Sequence, residues 1–468
     1  MKPPRSDVDS LLDALRGAAD LGGLWICDRV RTVALADLLQ GSFLDGRHEE
    51  LRGRGVLIAT RGQLATALAL FELDGHARRF VICPSDVGPR QLAAIIAEAE
   101  IDAVVSDRDL AELGPHPPGL IVAPTLLQTP VARPATACAT EWVLLTSGTT
   151  GTPKLAVHSL AGLTGAFSRA RHAEAGVVWA TFYDIRRYGG LQIFLRAAVG
   201  PSSLVLASEE ETVAEHLRRL TDRGVTHISG TPTHWRRALM SPAAKLFAPR
   251  YVRLSGEIAD QAILDSLRAF WPAARIGHAY ASTEAGVGFE VRDGLEGFPT
   301  ALLGAHGDVE MKIVDGSLRI RSTRTASRYL GAGAAVGLAD GEGFVDTGDA
   351  VECSPERCFF RGRRGGIINV GGSKVHPEEV EAAINRHPAV WASLVRARKS
   401  PITGAIVAAE VVLKDTSIQG DGMVAQTERE IIELCRQNIA PHKVPAVIRF
   451  VPSLNVSDTG KLLRHGRP

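Results

Sequence analysis

Short apolar runs alternate with helical patterns through the first hundred-odd residues of this 468-residue chain. They predict strands at 56–59, 80–83 and 103–105 and helices at 63–73 and 90–100. Consecutive strands that are separated by helices pair in parallel through right-handed crossovers. We therefore expect an α/β fold whose large N-terminal core consists of parallel sheets sandwiched by helices.

The pattern changes twice further along the chain. Between about 287 and 360 glycines become frequent, and the predicted strands are short with alternating apolar and polar residues. This pattern predicts a small β subdomain that closes the core. The basic, glycine-rich stretch 361–366 then predicts a domain boundary. We expect an N-terminal core domain at 1–363 and a small, mobile α+β domain at 364–468.

Two helices are predicted in the second domain. One helix is predicted to start at Pro377, because proline is common in the first turn of a helix. Glu378 and Glu379 follow it, and acidic residues are favoured at the positive N-terminal end of the helix dipole. Thr427 and Glu430 form a capping-box pattern that predicts another helix over 428–438.

Charge and hydropathy exclude several classes of function. The chain has 53 basic and 52 acidic residues and a net charge of +1. Its overall charge therefore provides no electrostatic attraction for nucleic acid or anionic lipid. No stretch approaches the roughly 18–20 apolar residues of a membrane span, and the start lacks the apolar core of a signal peptide. We expect a cytoplasmic protein without a nucleic-acid partner.

The six cysteines are scattered and lack a C-x-x-C motif. This spacing disfavours both a disulfide framework and a zinc site. Cys353 and Cys358 are close enough to suggest a metal site, but no second pair of ligands lies near them.

The segment 144–154 is the most informative stretch of the chain. An apolar strand leads into a loop of glycines and hydroxylic residues that ends in a lysine, and such loops turn backbone N–H groups toward an anion. The predicted phosphate-binding residues are Thr146, Ser147, Gly148, Thr149, Thr150, Gly151 and Lys154. The loop differs from a Walker A loop because Pro153 precedes the lysine and Leu155 follows it. The alternative is an ordinary Gly/Thr-rich loop.

This loop resembles the phosphate loop of the acyl-adenylate-forming (AMP-binding) superfamily, which includes acyl-CoA and aryl-CoA synthetases, nonribosomal-peptide adenylation domains and luciferases. Further segments resemble motifs of that family in the same order along most of the chain. They are Ser255, Gly256 and Glu257; Tyr280, Ala281, Ser282, Thr283 and Glu284; 346–349; Gly362 and Arg363; and 455–464.

The resemblance implies a role for each of these residues. Tyr280 stacks on adenine, Thr283 contacts the α-phosphate, and Glu284 holds Mg²⁺, with Thr149 as a second metal contact. Ala281 stands where the family usually has glycine, Ser282 follows it in the same motif, and the segment 255–257 borders the adenine.

The later motifs imply ribose binding and catalysis. Asp349 and Arg363 bind the ribose, and Gly365 is the hinge, where glycine predicts an unusually permissive backbone. Lys461 bridges the carboxylate and the phosphate during adenylation. Attack of a carboxylate on ATP brings two anions together, so a cation that neutralises the developing charge favours the reaction.

The resemblance implies that ATP and a carboxylic acid give an acyl-AMP and pyrophosphate. The acyl group then passes to coenzyme A, or to the phosphopantetheine of an acyl or aryl carrier protein. The segment 375–381 is more similar to acyl-CoA ligases than to amino-acid adenylation domains, which favours coenzyme A. A different alternative is an inactive homologue that only binds nucleotide.

The predicted acyl pocket, 182–190, departs from the family. Arg186 or Arg187 stands where many acyl-CoA ligases have histidine. These arginines could bind a polar or anionic group of the substrate, or form ion pairs with Asp184, and the second interpretation is slightly preferred. Asp184 could instead recognise an amine, although its spacing fits poorly. Tyr183 and Gly189 complete the predicted substrate-binding set.

Overall fold

The computed structural model describes residues 10–113, 118–125, 129–130, 138–146, 153–167, 176–370, 373–400, 404–414, 421–457 and 461–463. The fold confirms the predicted α/β class. Two large sheets with parallel centres form the first part of the chain, and an antiparallel sheet and a smaller α+β unit follow. The loop residues Ser147, Gly148, Thr149, Thr150 and Gly151 lie outside the described residues.

The first large sheet has seven strands in the described chain. Its order is Arg328–Leu330, Lys154–His158, Glu141–Thr146, Arg79–Ile82, Gly55–Ile58, Ala103–Val105 and Leu120–Val122. The last five strands are parallel and the first two are antiparallel additions at one edge.

The second large sheet has eight strands in the described chain. Its order is Gly286–Val291, Arg275–Ser282, Tyr251–Ser255, His227–Gly230, Val178–Thr181, Ser203–Val205, Trp25–Cys27 and Thr32–Ala34. The six inner strands are parallel, and both edges are antiparallel. A short pair, Gly41–Ser42 with Thr129–Pro130, lies apart from both sheets.

Helices cover the sheets and fill the space between them. The helices of this part are Leu11–Arg16, Gln63–Leu73, Pro89–Glu98, Leu160–Thr164, Tyr188–Val199, Val213–Asp222, Pro232–Met240 and Gln261–Phe270. Every residue of the helix Gln63–Leu73 is buried, as expected for a helix that is apolar on all sides and lies inside a core. The helix Tyr188–Val199 is buried at ten positions, so these two helices form the centre of the large domain.

The predicted small β subdomain is an antiparallel sheet. Its strand order is Phe298–Pro299, Arg357–Arg363, Val345–Cys353, Ser317–Ser322, Val309–Val314 and Gly304–His306. The predicted boundary after residue 363 falls at the end of one of these strands.

One cysteine pair corrects the expectation from the sequence. Cys353 and Cys358 are joined by a disulfide, although the scattered cysteine spacing disfavoured disulfide cross-linking and suggested at most a metal site for this pair. The two residues stand directly opposite each other in the antiparallel register. The register follows from a tight hairpin between the two strands, which the scattered cysteine spacing did not indicate.

The last hundred residues form a small α+β unit. Its strands are Ile368–Val370, Ser373–Val375, Val390–Ser400, Gly404–Leu413 and Val447–Phe450, and its helices are Pro377–Asn385 and Asp421–Asn438. The capping box predicted at Thr427 is wrong because that residue lies inside the second helix, where its hydroxyl donates to the Met423 carbonyl oxygen at 3.0 Å. No helix in the described ranges is long and apolar enough to cross a membrane.

A buried carboxyl makes the stability of the fold depend on pH. Asp74 accepts hydrogen bonds from the Leu11 backbone N–H at 2.8 Å and from Trp142 Nε1 at 2.9 Å. Burial nevertheless raises the pKa of Asp74 to about 7. Between pH 4 and pH 7 the folded protein therefore holds a proton that the unfolded chain releases, so this group destabilises the fold as the pH rises.

We predict that Asp74→Asn removes this dependence, since an amide does not ionise. Between pH 4.5 and pH 8 the unfolding free energy of the unchanged protein should fall by about 3 kcal/mol relative to that of Asp74→Asn. Thermal unfolding at a series of pH values measures it, with exposed Asp102→Asn as the matched control. Parallel pH profiles for the unchanged protein and Asp74→Asn would contradict the prediction.

Candidate active site

Three predicted nucleotide-binding residues meet at the edge of the second large sheet. The Tyr280 hydroxyl donates to Asp349 Oδ2 at 2.6 Å, and Arg363 Nε donates to Asp349 Oδ1 at 3.2 Å. Asp349 and Arg363 are brought together because they are direct partners in neighbouring antiparallel strands. Burial raises the pKa of the Tyr280 hydroxyl well above its usual range, and the charge of Asp349 adds to this effect. Tyr280 therefore acts as a donor.

An aromatic cluster holds Tyr280 in place. Its ring is stacked on Phe360, with centroids 5.0 Å apart and planes 11° apart, and on Phe289 at 5.7 Å. Phe360 lies in the strand Arg357–Arg363 and Phe289 in the strand Gly286–Val291. The cluster therefore fixes the small β subdomain against the sheet that carries Tyr280.

The segment 255–257 leaves the end of the strand Tyr251–Ser255 and faces Lys461. Gly256 has φ +83°, and a Cβ atom there would lie 3.4 Å from Lys461 Cε and 3.9 Å from Nζ. Glycine supplies the positive φ without steric cost. The backbone of this segment thus comes close to the predicted catalytic lysine.

Glu257 joins the large domain to the segment that carries Lys461. Its Oε2 accepts from the Thr233 N–H at 3.0 Å, at the start of the helix Pro232–Met240, and its Oε1 accepts from the Leu462 N–H at 3.0 Å. The family resemblance implied for Glu257 only a position beside the adenine and did not indicate this link. No local pattern signals it, because its two partners lie 24 and 205 residues away.

Lys461 lies in a small turn of the last described segment. The Ser457 N–H donates to the Lys461 carbonyl oxygen at 2.7 Å, and Val456 and Leu462 form a bridge. The lysine is exposed to solvent in the cleft, but the protein packed around the cleft lowers the pKa of its ammonium group, and the charge of Glu257 acts in the opposite direction. A partly desolvated ammonium group has a strong affinity for an anion.

These residues line one cleft of about 490 Å³ between the large domain and the helix Pro377–Asn385. The predicted site residues in its lining are Gly256, Glu257, Tyr280, Ala281, Asp349, Arg363 and Lys461. Two polar contacts cross the cleft beside them. Asn385 Nδ2 donates to Asp260 Oδ2 at 3.1 Å, and Arg386 is 3.6 Å from Glu296.

Two of the residues predicted for the phosphates lie on the first large sheet. Thr146 and Lys154 are direct partners in the antiparallel pair that brackets residues 147–152. Lys154 Nζ is 5.0 Å from the centroid of the Tyr329 ring, and the Tyr329 hydroxyl donates to Glu284 Oε1 at 3.4 Å. Tyr329 thus connects Lys154 to the predicted metal ligand, and the sequence analysis did not identify it.

Ser282 and Thr283 lie between Tyr280 and Glu284. The Ser282 hydroxyl accepts from the Ala285 N–H at 3.0 Å. Thr283 is half-buried directly after the strand Arg275–Ser282. The motif 280–284 therefore runs from Tyr280, which contacts Asp349, to Glu284, which contacts Tyr329.

The arginines of the predicted acyl pocket are engaged in ion pairs. Arg186 is 1% exposed, and it pairs with Asp184 at 2.8 Å and with Glu209 at 2.8 Å. Arg187 pairs with Asp86 at 2.6 Å. The structure thus contains the ion pair between Arg186 and Asp184 that the sequence analysis considered as the alternative to substrate binding.

Tyr183 and Gly189 lie at the end of the strand Tyr251–Ser255. The Tyr183 hydroxyl donates to the Ser255 carbonyl oxygen at 2.7 Å. A Cβ atom at Gly189 would lie 3.6 Å from the Tyr183 ring. Tyr183 therefore contacts the segment 255–257, and Gly189 packs against Tyr183.

The backbone between the cleft and the predicted hinge contains one constrained glycine. Gly362 has φ +122°, and a Cβ atom there would lie 2.1 Å from Glu378 Oε2. Gly365, the predicted hinge, has no atom within 4 Å of its Cβ position, and it is not among the residues with positive φ. In this arrangement of the domains the conformational requirement for glycine is at Gly362.

Family models match both parts of the chain. A model described as AMP-binding enzyme matches residues 63–325, and a model described as AMP-binding enzyme C-terminal domain matches residues 379–461.

Two curated relatives illustrate the range of similarity. Acyl-coenzyme A synthetase ACSM5, mitochondrial, of Rattus norvegicus is 26% identical over 346 residues, which are 69% of this chain and 59% of that protein. The 2-succinylbenzoate–CoA ligase of Salmonella typhimurium is 28% identical over 387 residues, which are 79% of this chain and 77% of that protein. The chain thus spans less than two thirds of the rat enzyme.

A solved structure has the same fold. The anthranilate CoA ligase AuaEII, in complex with anthranoyl-AMP, aligns with a TM-score of 0.79 at 18% identity, over 97% of this chain and 95% of that one.

We predict that Gly362→Ala destabilises the protein by about 1–3 kcal/mol, since alanine rarely adopts a positive φ. Gly365→Ala is the matched control and should change the unfolding free energy by less than about 1 kcal/mol, because it meets open space. Thermal or urea unfolding of both variants measures the difference. Equal destabilisation by the two substitutions would show that the backbone at 362 is not specially constrained.

Proposed function

Since the chain belongs to the AMP-binding enzyme family, we propose that it is an ATP-dependent ligase that activates a carboxylic acid as an acyl-adenylate and transfers the acyl group to the thiol of coenzyme A. The observation that carries this proposal is the position of Lys461. Its Nζ lies beside Gly256 in the same cleft as Tyr280, Asp349 and Arg363.

The cleft supplies groups suited to adenosine. Asp349 is held by Tyr280 on one oxygen and by Arg363 on the other, and its carboxylate accepts hydrogen bonds from the ribose hydroxyls. Arg363 and Lys461 supply positive charge near the phosphate that joins the acid. Because the whole chain has a net charge of only +1, local cations of this kind must hold the phosphates.

The phosphate end is assigned to Thr146, Lys154, Thr283 and the loop residues between Thr146 and Lys154. Glu284 suits Mg²⁺, because this ion is typically bound by one or two carboxylates together with phosphate oxygens. The Tyr329 hydroxyl is 3.4 Å from Glu284, a long contact that leaves the carboxylate able to accept a cation. Thr149 is the second proposed metal contact. The metal would neutralise phosphate charge during the displacement.

Lys461 acts in the adenylation step itself. The substrate carboxylate and the α-phosphate are both anions, and the lysine ammonium group stabilises the charge that develops between them. Its partly desolvated setting makes this interaction stronger than it would be in bulk water. Residues 364–468 then rotate about Gly365, which withdraws Lys461 and opens the site to the thiol.

The acceptor is proposed to be coenzyme A rather than a carrier protein. Both curated relatives described above are coenzyme A ligases by name. The segment 375–381 is also more similar to such ligases than to amino-acid adenylation domains.

We predict acid-dependent exchange of pyrophosphate into ATP with a panel of aliphatic, aromatic and dicarboxylic acids. With the best acid, coenzyme A should yield a thioester faster than a phosphopantetheinylated carrier protein does. Asp349→Asn should weaken exchange at least tenfold, since a charged hydrogen bond contributes about 1.5–3 kcal/mol. Lack of exchange with every acid would overturn the proposed function, and faster acylation of the carrier protein would overturn the choice of coenzyme A.

A further inference from the structure

Arg253 is a buried cation without a full set of partners. It lies in the strand Tyr251–Ser255 and is 3% exposed, and its Nε has no hydrogen-bond partner within the described part of the chain. Nε is 3.9 Å from Glu290 Oε2, which is too long for a hydrogen bond. Burying a charge without full pairing costs stability. The stability of the fold therefore does not account for the burial of this side chain.

The Glu290 carboxylate already accepts hydrogen bonds from other residues. Its carboxylate accepts from the Tyr251 hydroxyl, and from Arg292 Nε at 2.7 Å. Arg292 is largely exposed at 57% and lies at the surface end of this cluster. Glu290 therefore attracts Arg253 at a distance but does not satisfy its hydrogen-bonding groups.

A second arginine faces the same interior layer. Arg196 lies on the helix Tyr188–Val199, and its Nε also lacks a hydrogen-bond partner among the residues described. Its guanidinium carbon is 4.7 Å from the Phe167 ring centroid and 5.8 Å from that of Trp179. Burial lowers the pKa of Arg196 to about 10, and the positive charge of Arg253 lowers it further. The two guanidinium groups thus repel each other across a buried layer.

This layer continues toward the reaction centre. Side chains of alternate residues lie on one face of a strand, so Arg253 and Ser255 face the same side. The Ser255 carbonyl oxygen accepts from Tyr183 at 2.7 Å. The Ser255 hydroxyl also lies 3.1 Å from the Tyr183 hydroxyl, so the strand face that carries Arg253 meets Tyr183 at its end.

The distance to the reacting group is set by the strand. Gly256, beside Lys461, is three residues beyond Arg253, or about 10 Å along an extended chain at roughly 3.3 Å per residue. An acid whose reacting carboxylate lies at Lys461, and whose acyl group follows this strand, would bring its far end to Arg253.

We propose that Arg253, supported by Arg196, binds a second anionic group at the distal end of the acid, so that the substrate is a dicarboxylic or similarly dianionic acid. This inference rests on the proposed function. Arg186 and Arg187, which the sequence suggested for such a role, lie 2.8 and 2.6 Å from carboxylates, whereas Arg253 lies 3.9 Å from Glu290. The incompletely paired guanidinium groups at 253 and 196 are better suited to receive a ligand carboxylate.

Two nonhydrolysable acyl-sulfamoyl adenosine analogues of equal length test the proposal by binding alone. One ends in a free carboxylate and the other in a methyl ester. A graded set of aliphatic and aromatic spacers covers the length of the site. The protein should bind the carboxylate-ended analogue about 10–100-fold more tightly, as expected for a charged hydrogen bond. Arg253→Leu should abolish this preference, and Arg292→Leu, which alters the same cluster at its exposed end, should retain it.

Thermal unfolding separates a role in binding from a role in the fold. Arg253→Leu should unfold at a temperature no lower than the unchanged protein, because it removes a poorly paired buried charge while Glu290 keeps Arg292 and Tyr251. A lower unfolding temperature together with equal weakening of both analogues would assign Arg253 a structural role and overturn the inference.

The remaining outcomes distinguish this inference from the function it rests on. Equal binding of the two analogues by the unchanged protein, at every spacer length, would overturn the inference while leaving the ligase proposal intact. Failure to bind either analogue, with no pyrophosphate exchange for any acid, would overturn the proposed function and the inference with it.

Discussion

The active-site arrangement depends on the two hydrogen bonds that Glu257 accepts. One comes from Thr233 at the start of a helix in the large domain, and the other comes from Leu462, next to Lys461. A carboxylate that accepts backbone N–H groups at a helix start is favoured by the unpaired donors and the partial positive charge there. The same carboxylate carries the charge that supports the protonated form of Lys461. One side chain therefore fixes both the position and the electrostatic setting of the lysine.

Around this link the charged residues of the site lie in separate groups. Asp349 and Arg363 line one cleft together with Lys461, and Lys154 and Glu284 both contact Tyr329. Lys154 begins a strand of the first large sheet, and Glu284 follows the strand Arg275–Ser282 of the second. The small β subdomain adds Asp349 and Arg363 through a direct cross-strand pair. The chemistry is thus distributed over elements far apart in sequence, and the folded sheets bring it together.

The sequence predicted those features that depend on local periodicity or on a long motif. The helix at 63–73 was predicted with the bounds that the structure has, because an apolar helical run between strands has few other interpretations. The helix Asp421–Asn438 was predicted too short, since Thr427 imitates a cap although the helix begins earlier. Glu257, Tyr329 and Arg253 were missed in their particular roles because each depends on partners from distant segments. Only the fold shows that Arg186 lies 2.8 Å from Asp184, whereas Arg253 lies 3.9 Å from Glu290 and its Nε has no hydrogen-bond partner among the described residues.

The central claim is that the arrangement with Lys461 beside Gly256 serves adenylation. The most direct measurement compares the two half-reactions in Lys461→Ala, with exposed Lys414→Ala as the control. Adenylation is followed by pyrophosphate exchange, and thioester formation is started from the preformed acyl-adenylate. The account predicts a loss of at least about 100-fold in adenylation, on the order of a lost transition-state contact, with thioester formation changed by less than about threefold. Equal losses in both half-reactions would contradict it.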